Sequence, residues 1–170
     1  MDSPQLRKTE QIAHRIETSL TRFEFILIPL IIVGCILVYT DKPAMGIPIS
    51  FGAAMILAIV YFFRWFNPGV QNAMQGFLFK LTSFTLAIGT LGIIFSLLHM
   101  KTGKMFLIIC IADTLVNTGF WLIFRKKIPE TELIRRDDMI RLAIVLAICV
   151  VLLSVKLPVP EVFQQTVVIE

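Results

Sequence analysis

Charge is scarce in this chain. Asp, Glu, Lys and Arg make up 16% of its 170 residues, where a soluble domain carries about a quarter. That shortage excludes an ordinary soluble domain. Cysteine is scarce as well. Cys35, Cys110 and Cys149 lie singly inside apolar runs with no CxxC spacing, which argues against a disulfide framework and against a zinc site. They read as small buried hydrophobes. Catalytic signatures are missing: the chain has no HExxH, GxSxG, P-loop or Rossmann glycine pattern. It also has no pair of deep carboxylates for acid–base work. We therefore expect no enzyme, and no cofactor or metal. The net charge of +4 is no sign of nucleic-acid binding here, because basic residues beside a membrane carry topology first. The lead "MDSPQLRKTEQIAHRIETSLTR" is too long and too acidic for a signal-peptide n-region, and the first apolar run is expected to stay as an anchor.

Apolar residues are abundant, at 56%, and mean hydropathy is +0.82. They fall in blocks of bilayer-spanning length. The reading is an all-α integral membrane bundle of five transmembrane helices with an N-terminal interfacial helix. Residues 1–22 form an amphipathic cytoplasmic segment. The five spans lie within residues 23–156, at about 23–40, 47–66, 79–100, 105–124 and 139–156. Residues 157–170 form an extended outer-side tail, where Pro158 and Pro160 force an extended chain.

Basic residues fix the orientation. With the N-terminus inside, Arg7, Lys8, Arg15, Arg22, Arg64, Lys80 and the six of 125–141 face the cytoplasm. Only Lys42, Lys101, Lys104 and Lys156 face out. That bias gives a cytoplasmic N-terminus and an outer C-terminus. In the connection after the second span, Asn67-Pro68 suits a helix start.

Small residues mark packing faces. Thr85, Gly89, Gly92 and Ser96 line one face of the third span, where a second backbone can approach closely. Ser50, Ala54 and Ala58 do so on the second span, and Ala143 and Ala147 on the fifth. Two hairpins also resemble one another. "GCILVYTDKPAMG" from Gly34 and "GIIFSLLHMKTG" from Gly92 each place an apolar residue three on and a polar residue seven on. Both run in the same direction across the membrane, so the repeat is parallel.

The pattern of Gly92, Phe95 and His99 resembles the turn of the transmembrane hairpin in the L-type membrane motor subunit of the type 9 secretion and gliding machinery. That family continues with Trp-Pro-Gly after the histidine, where this chain has Met100, Lys101 and Thr102 before Gly103. Asp41, Lys42, Pro43 and Ala44 resemble the turn differently, keeping the proline without the histidine. The family's membrane glutamate lies near Asp113 but out of register with it, and the family has two spans and a large cytoplasmic part. The resemblance implies a subunit of a Gram-negative inner-membrane complex. It does not carry motor function over.

Asp113 is the candidate with the most chemistry. It lies about 13 Å into the fourth span at ~1.5 Å per residue, near the middle of a ~30 Å core. An aspartate there costs roughly 2.5–3.5 kcal/mol to insert. Asn117 shares its face one turn on, and Thr90 or Ser96 of the third span could donate to it. Asp113 and Asn117 read either as interhelical glue or as a proton or cation site. Glu24, at the inner edge of the first span, is expected to pair with Lys80 or Arg64, and Arg64 itself to snorkel to the interface. The charged connection "RKKIPETELIRRDDMIR" reads as a solvated topological marker. The leading expectation is a non-catalytic subunit of a larger membrane assembly, with the lipid bilayer and other membrane subunits or copies of itself as partners. The alternative is a small proton- or cation-coupled transporter using Asp113 and Asn117.

Overall fold

A computed structural model describes residues 4–40, 42–66, 73–124 and 136–154. Five helices account for nearly all of them: α1 (Pro4–Tyr39), α2 (Pro43–Arg64), α3 (Ala73–Leu97), α4 (Gly103–Phe124) and α5 (Arg136–Ser154). Four are long and apolar enough to cross a membrane: Ser19–Tyr39 within α1, then α2, α3 and α4. The fifth expected span is a helix of 19 residues. Arg136, Asp137, Asp138 and Arg141 occupy its first turns, so its apolar part is too short to stand clearly as a span. The separate N-terminal helix expected over residues 1–22 is instead the beginning of one continuous 36-residue helix. The Asn67-Pro68 start signal and the 157–170 tail lie outside the described residues.

Helices α1 and α2 form one antiparallel hairpin, and α3 and α4 form a second. Helix α3 is the hub, packing against α2, α4 and α5. The α5 helix lies across α3 and α4. Because the exterior is meant for lipid, large apolar side chains such as Phe25, Leu115 and Ile123 face outward. The interior is built from small and medium side chains, among them Ala53, Ala54, Leu57, Leu86 and Ala87.

The hairpin repeat is a packing repeat. A Cβ on Gly34 would sit 2.5 Å from the Ser50 nitrogen, and one on Gly46 would sit 2.6 Å from the Gly34 carbonyl. In the second hairpin a Cβ on Gly92 would meet Leu107 at 3.0 Å, and one on Gly103 would meet Ser96 at 2.6 Å. In each hairpin the outgoing glycine faces a residue four after the returning glycine. The returning glycine in turn faces the residue four after the outgoing one. These glycines let two backbones touch near the turn, where any side chain would push them apart.

The α3–α4 turn gives the Gly92, Phe95 and His99 pattern a physical basis. His99 has a φ of 55°. Its N–H donates to Ser96 O at 3.1 Å, and that of Met100 donates to Phe95 O at 2.8 Å. This pair of bonds is a Schellman cap with His99 in the left-handed position usually given to glycine. Phe95 stacks on Phe51 and meets Phe106 edge-on, tying the two hairpins together behind the turn.

Candidate functional site

Polar side chains gather in two places. The larger group lies at the end of the bundle opposite the turns. Arg64, in the last turn of α2, is fully buried. Its Nη2 donates to both carboxylate oxygens of Asp138, each at 3.1 Å, and its guanidinium carbon lies 4.8 Å from the Phe79 ring centre. Asp138 also accepts from Arg141 Nη1 at 2.9 Å. Arg141 then grips Glu24 side-on, through Nε at 2.7 Å and Nη2 at 2.9 Å. The Tyr61 hydroxyl donates to Glu24 Oε1 at 2.7 Å.

One continuous network therefore joins α1, α2 and α5, with α3 supplying the aromatic face. Among the described residues two arginines meet two carboxylates, so their charges balance. Charge-assisted, bidentate bonds of this kind are the strong class. They are needed here because an unpaired charge at a membrane edge is costly. The arrangement corrects two expectations. Arg64 does not snorkel, and Glu24 pairs with Arg141 rather than with Lys80 or Arg64. The beginning of α5, expected as a solvated marker, supplies Asp138 at 1% exposure.

The second polar place lies between α3 and α4. Asn117 is buried on α4 and donates through Nδ2 to Thr82 Oγ1 on α3 at 2.8 Å. Thr82 lies ten residues before Gly92, as Glu24 lies ten before Gly34. The Asn117–Thr82 bridge thus holds the second hairpin where Tyr61–Glu24 holds the first. Thr85, Gly89 and Gly92 are buried, and Ser96 is half-buried. Their face is filled from within the chain: a Cβ on Gly89 would meet Val145 of α5 at 2.4 Å and Cys110 of α4 at 2.8 Å. Ser50, Ala54 and Ala58 are likewise buried. Ala143 and Ala147, expected to pack in the same way, are exposed.

Asp113 stands apart from this packing. It is half-buried on the flank of α4, neighbouring the exposed Val116. Neither Thr90 nor Ser96 reaches it; Thr90 donates to Leu86 O at 2.8 Å. Its Oδ2 is buried and makes no hydrogen bond among the described residues, and the same holds for Asn117 Oδ1. Two acceptors one helical turn apart thus lack donors. No group of three or more His, Cys, Asp or Glu among the described residues could hold a metal ion.

The arrangement offers a self-neutralising clamp at one end and a lone carboxylate on a lipid-facing flank at mid-span. The clamp was missed at the sequence level because its partners are 74 and 117 residues apart. The signal was that Glu24, Arg64, Asp138 and Arg141 all fall near the edges of their apolar stretches, on the side away from the two tight turns. Compared with known protein families, curated proteins and solved structures, the chain has no match.

Proposed function

We propose that this protein is a non-catalytic membrane subunit of a larger assembly, held in a bacterial inner membrane with its N-terminus cytoplasmic. Asp113 carries the reading. A carboxylate oxygen buried at mid-span without a donor is costly in hydrocarbon, where no water completes its bonds. Its own bundle offers it none among the described residues, and the residue is only half-buried, on a flank of α4 that a neighbouring chain could cover. The exposed Ala143 and Ala147 on α5 add a small-residue face that the bundle does not use, of the kind transmembrane helices pack through. The arginines and carboxylates at the opposite end are committed to one another, which suits a rigid scaffold.

Native mass spectrometry after extraction in mild detergent tests this. The expected result is a mass well above the 19.3 kDa chain, reduced in Asp113→Leu. A wild-type protein recovered only as a monomer, with no co-purifying membrane protein, would refute it.

The pair of donorless acceptors also supports the second reading, a proton- or cation-coupled transporter. On it Asp113 takes up a proton or a small cation, with Asn117 one helical turn away. On that reading Asp113→Asn abolishes flux into liposomes while the protein stays folded. Equal flux in both proteins, or none in either, removes it.

A further inference from the structure

Helices α1 and α5 meet through Glu24 and Arg141 but do not pack along their lengths. Beyond that contact they part, and a half-open groove of about 550 Å³ runs between them toward the turns, floored by α2 and α3. On α1 it is lined from Ile28 to Thr40, which is about 18 Å at ~1.5 Å per residue. That length is close to one leaflet, about half of a ~30 Å hydrocarbon core.

We propose that this groove is a binding site for one acyl chain of a phospholipid from the leaflet on the turn side. The chemistry of its walls is that of a lipid tail's surroundings. Ile31, Ile93 and Ile148 are typical of the lining. The polar groups along the interior have no donor to spare: Thr90 gives its hydroxyl to Leu86 O, and Tyr61 at the closed end gives its own to Glu24. Polarity returns only at the mouth. There the Tyr39 hydroxyl lies 3.2 Å from Leu97 O and 3.4 Å from His99 Nε2. Thr40 is exposed beside it, and Lys42, Lys101 and Lys104 are exposed at the same end. These lysines put positive charge at the turn end of the bundle, the level of a headgroup phosphate whose tail lies in the groove.

Size separates this occupant from a partner's helix. A crossing helix needs ~30 Å of surface, whereas the α1 wall of the groove, from Ile28 to Thr40, runs about 18 Å.

A phosphatidylglycerol carrying a diazirine in one acyl chain, mixed into phosphatidylethanolamine vesicles holding the full-length protein, tests the site. After irradiation, cross-links are mapped by peptide mass spectrometry. The expected result is labelling at Ile31, Cys35, Ile93 and Ile148 several-fold above that at Leu115 and Leu122, which face lipid on α4. Ile36→Trp and Ile148→Trp, each projecting bulk from an exposed wall position, are expected to cut groove labelling several-fold. Leu122→Trp should leave it unchanged. An unshifted thermal midpoint for either wall variant shows that the fold is intact. Even labelling over groove and α4, or groove labelling unaltered in a folded wall variant, would each overturn the proposal.

Discussion

Removing the carboxylate of Asp138 should cost far more than its place near a helix end suggests. The Arg64 side chain is 0% exposed and that of Asp138 is 2% exposed. In Asp138→Asn the guanidinium loses the group that takes both bonds from Nη2, and no water reaches it there. Breaking a buried pair from one side costs about 3–5 kcal/mol. Arg64→Met is the gentler perturbation, because Asp138 keeps its 2.9 Å bond from Arg141. Its loss is about 1.5–3 kcal/mol, the worth of hydrogen bonds to a charged group. The double variant removes both members of the pair, so its cost should fall well below the sum of the two, with a coupling of about 2 kcal/mol or more, toward the upper end for neighbours in one network. Unfolding in mild detergent, titrated with dodecyl sulfate and followed by circular dichroism, gives all four corners of the cycle. A loss under about 1 kcal/mol for Asp138→Asn, the scale of an exposed pair, would refute the reasoning. Simple additivity in the double variant would do the same.

Other perturbations separate the remaining interactions. Tyr61→Phe removes the 2.7 Å bond to Glu24 and should cost about 1.5–3 kcal/mol in the same titration; no change would mean that Arg141 alone satisfies Glu24. Asn117→Leu should cost about 0.6–1.7 kcal/mol, the range for interhelical polar contacts in membranes, with Thr82→Val adding little to it. Gly46→Val should prevent the first hairpin from closing, seen as aggregation in size-exclusion chromatography, because its Cβ would lie 2.6 Å from two backbone atoms. By contrast, Gly52→Ala and Gly119→Ala have nothing within 4 Å and should raise the thermal midpoint slightly, as Ala exceeds Gly in helix propensity by about 1 kcal/mol.

The hairpins and their glycine repeat could be read from the sequence because both are written at short range. Apolar blocks of bilayer length announce helices, and Gly34, Gly46, Gly92 and Gly103 sit within a dozen residues of the turns they tighten. The polar face shared by Asp113 and Asn117 was legible for the same reason. What each does was not, since Asn117 turns inward to Thr82 and Asp113 lies at the edge. The clamp was illegible. A charge in the last turn of an apolar helix looks the same in sequence whether it reaches water or faces a carboxylate on a helix 74 residues away. Arg64 and Asp138 were assigned to solvent by the rule that fits most such residues. The fifth helix was counted as a span by its apolar stretch, but its first turns are tied to the clamp.

The clamp also has a consequence for how the chain is made. Glu24, Tyr61 and Arg64 emerge from the ribosome in the first hairpin, while Asp138 and Arg141 follow only with the last helix. Until then Glu24 holds its bond from Tyr61 and Arg64 its contact with the Phe79 ring, while Arg141 and Asp138, which complete the described ion pairs, are still to come. A chain cut short before residue 136 therefore keeps its four long apolar helices but lacks the two ion pairs that α5 makes with α1 and α2, so the last helix to be synthesised completes the first.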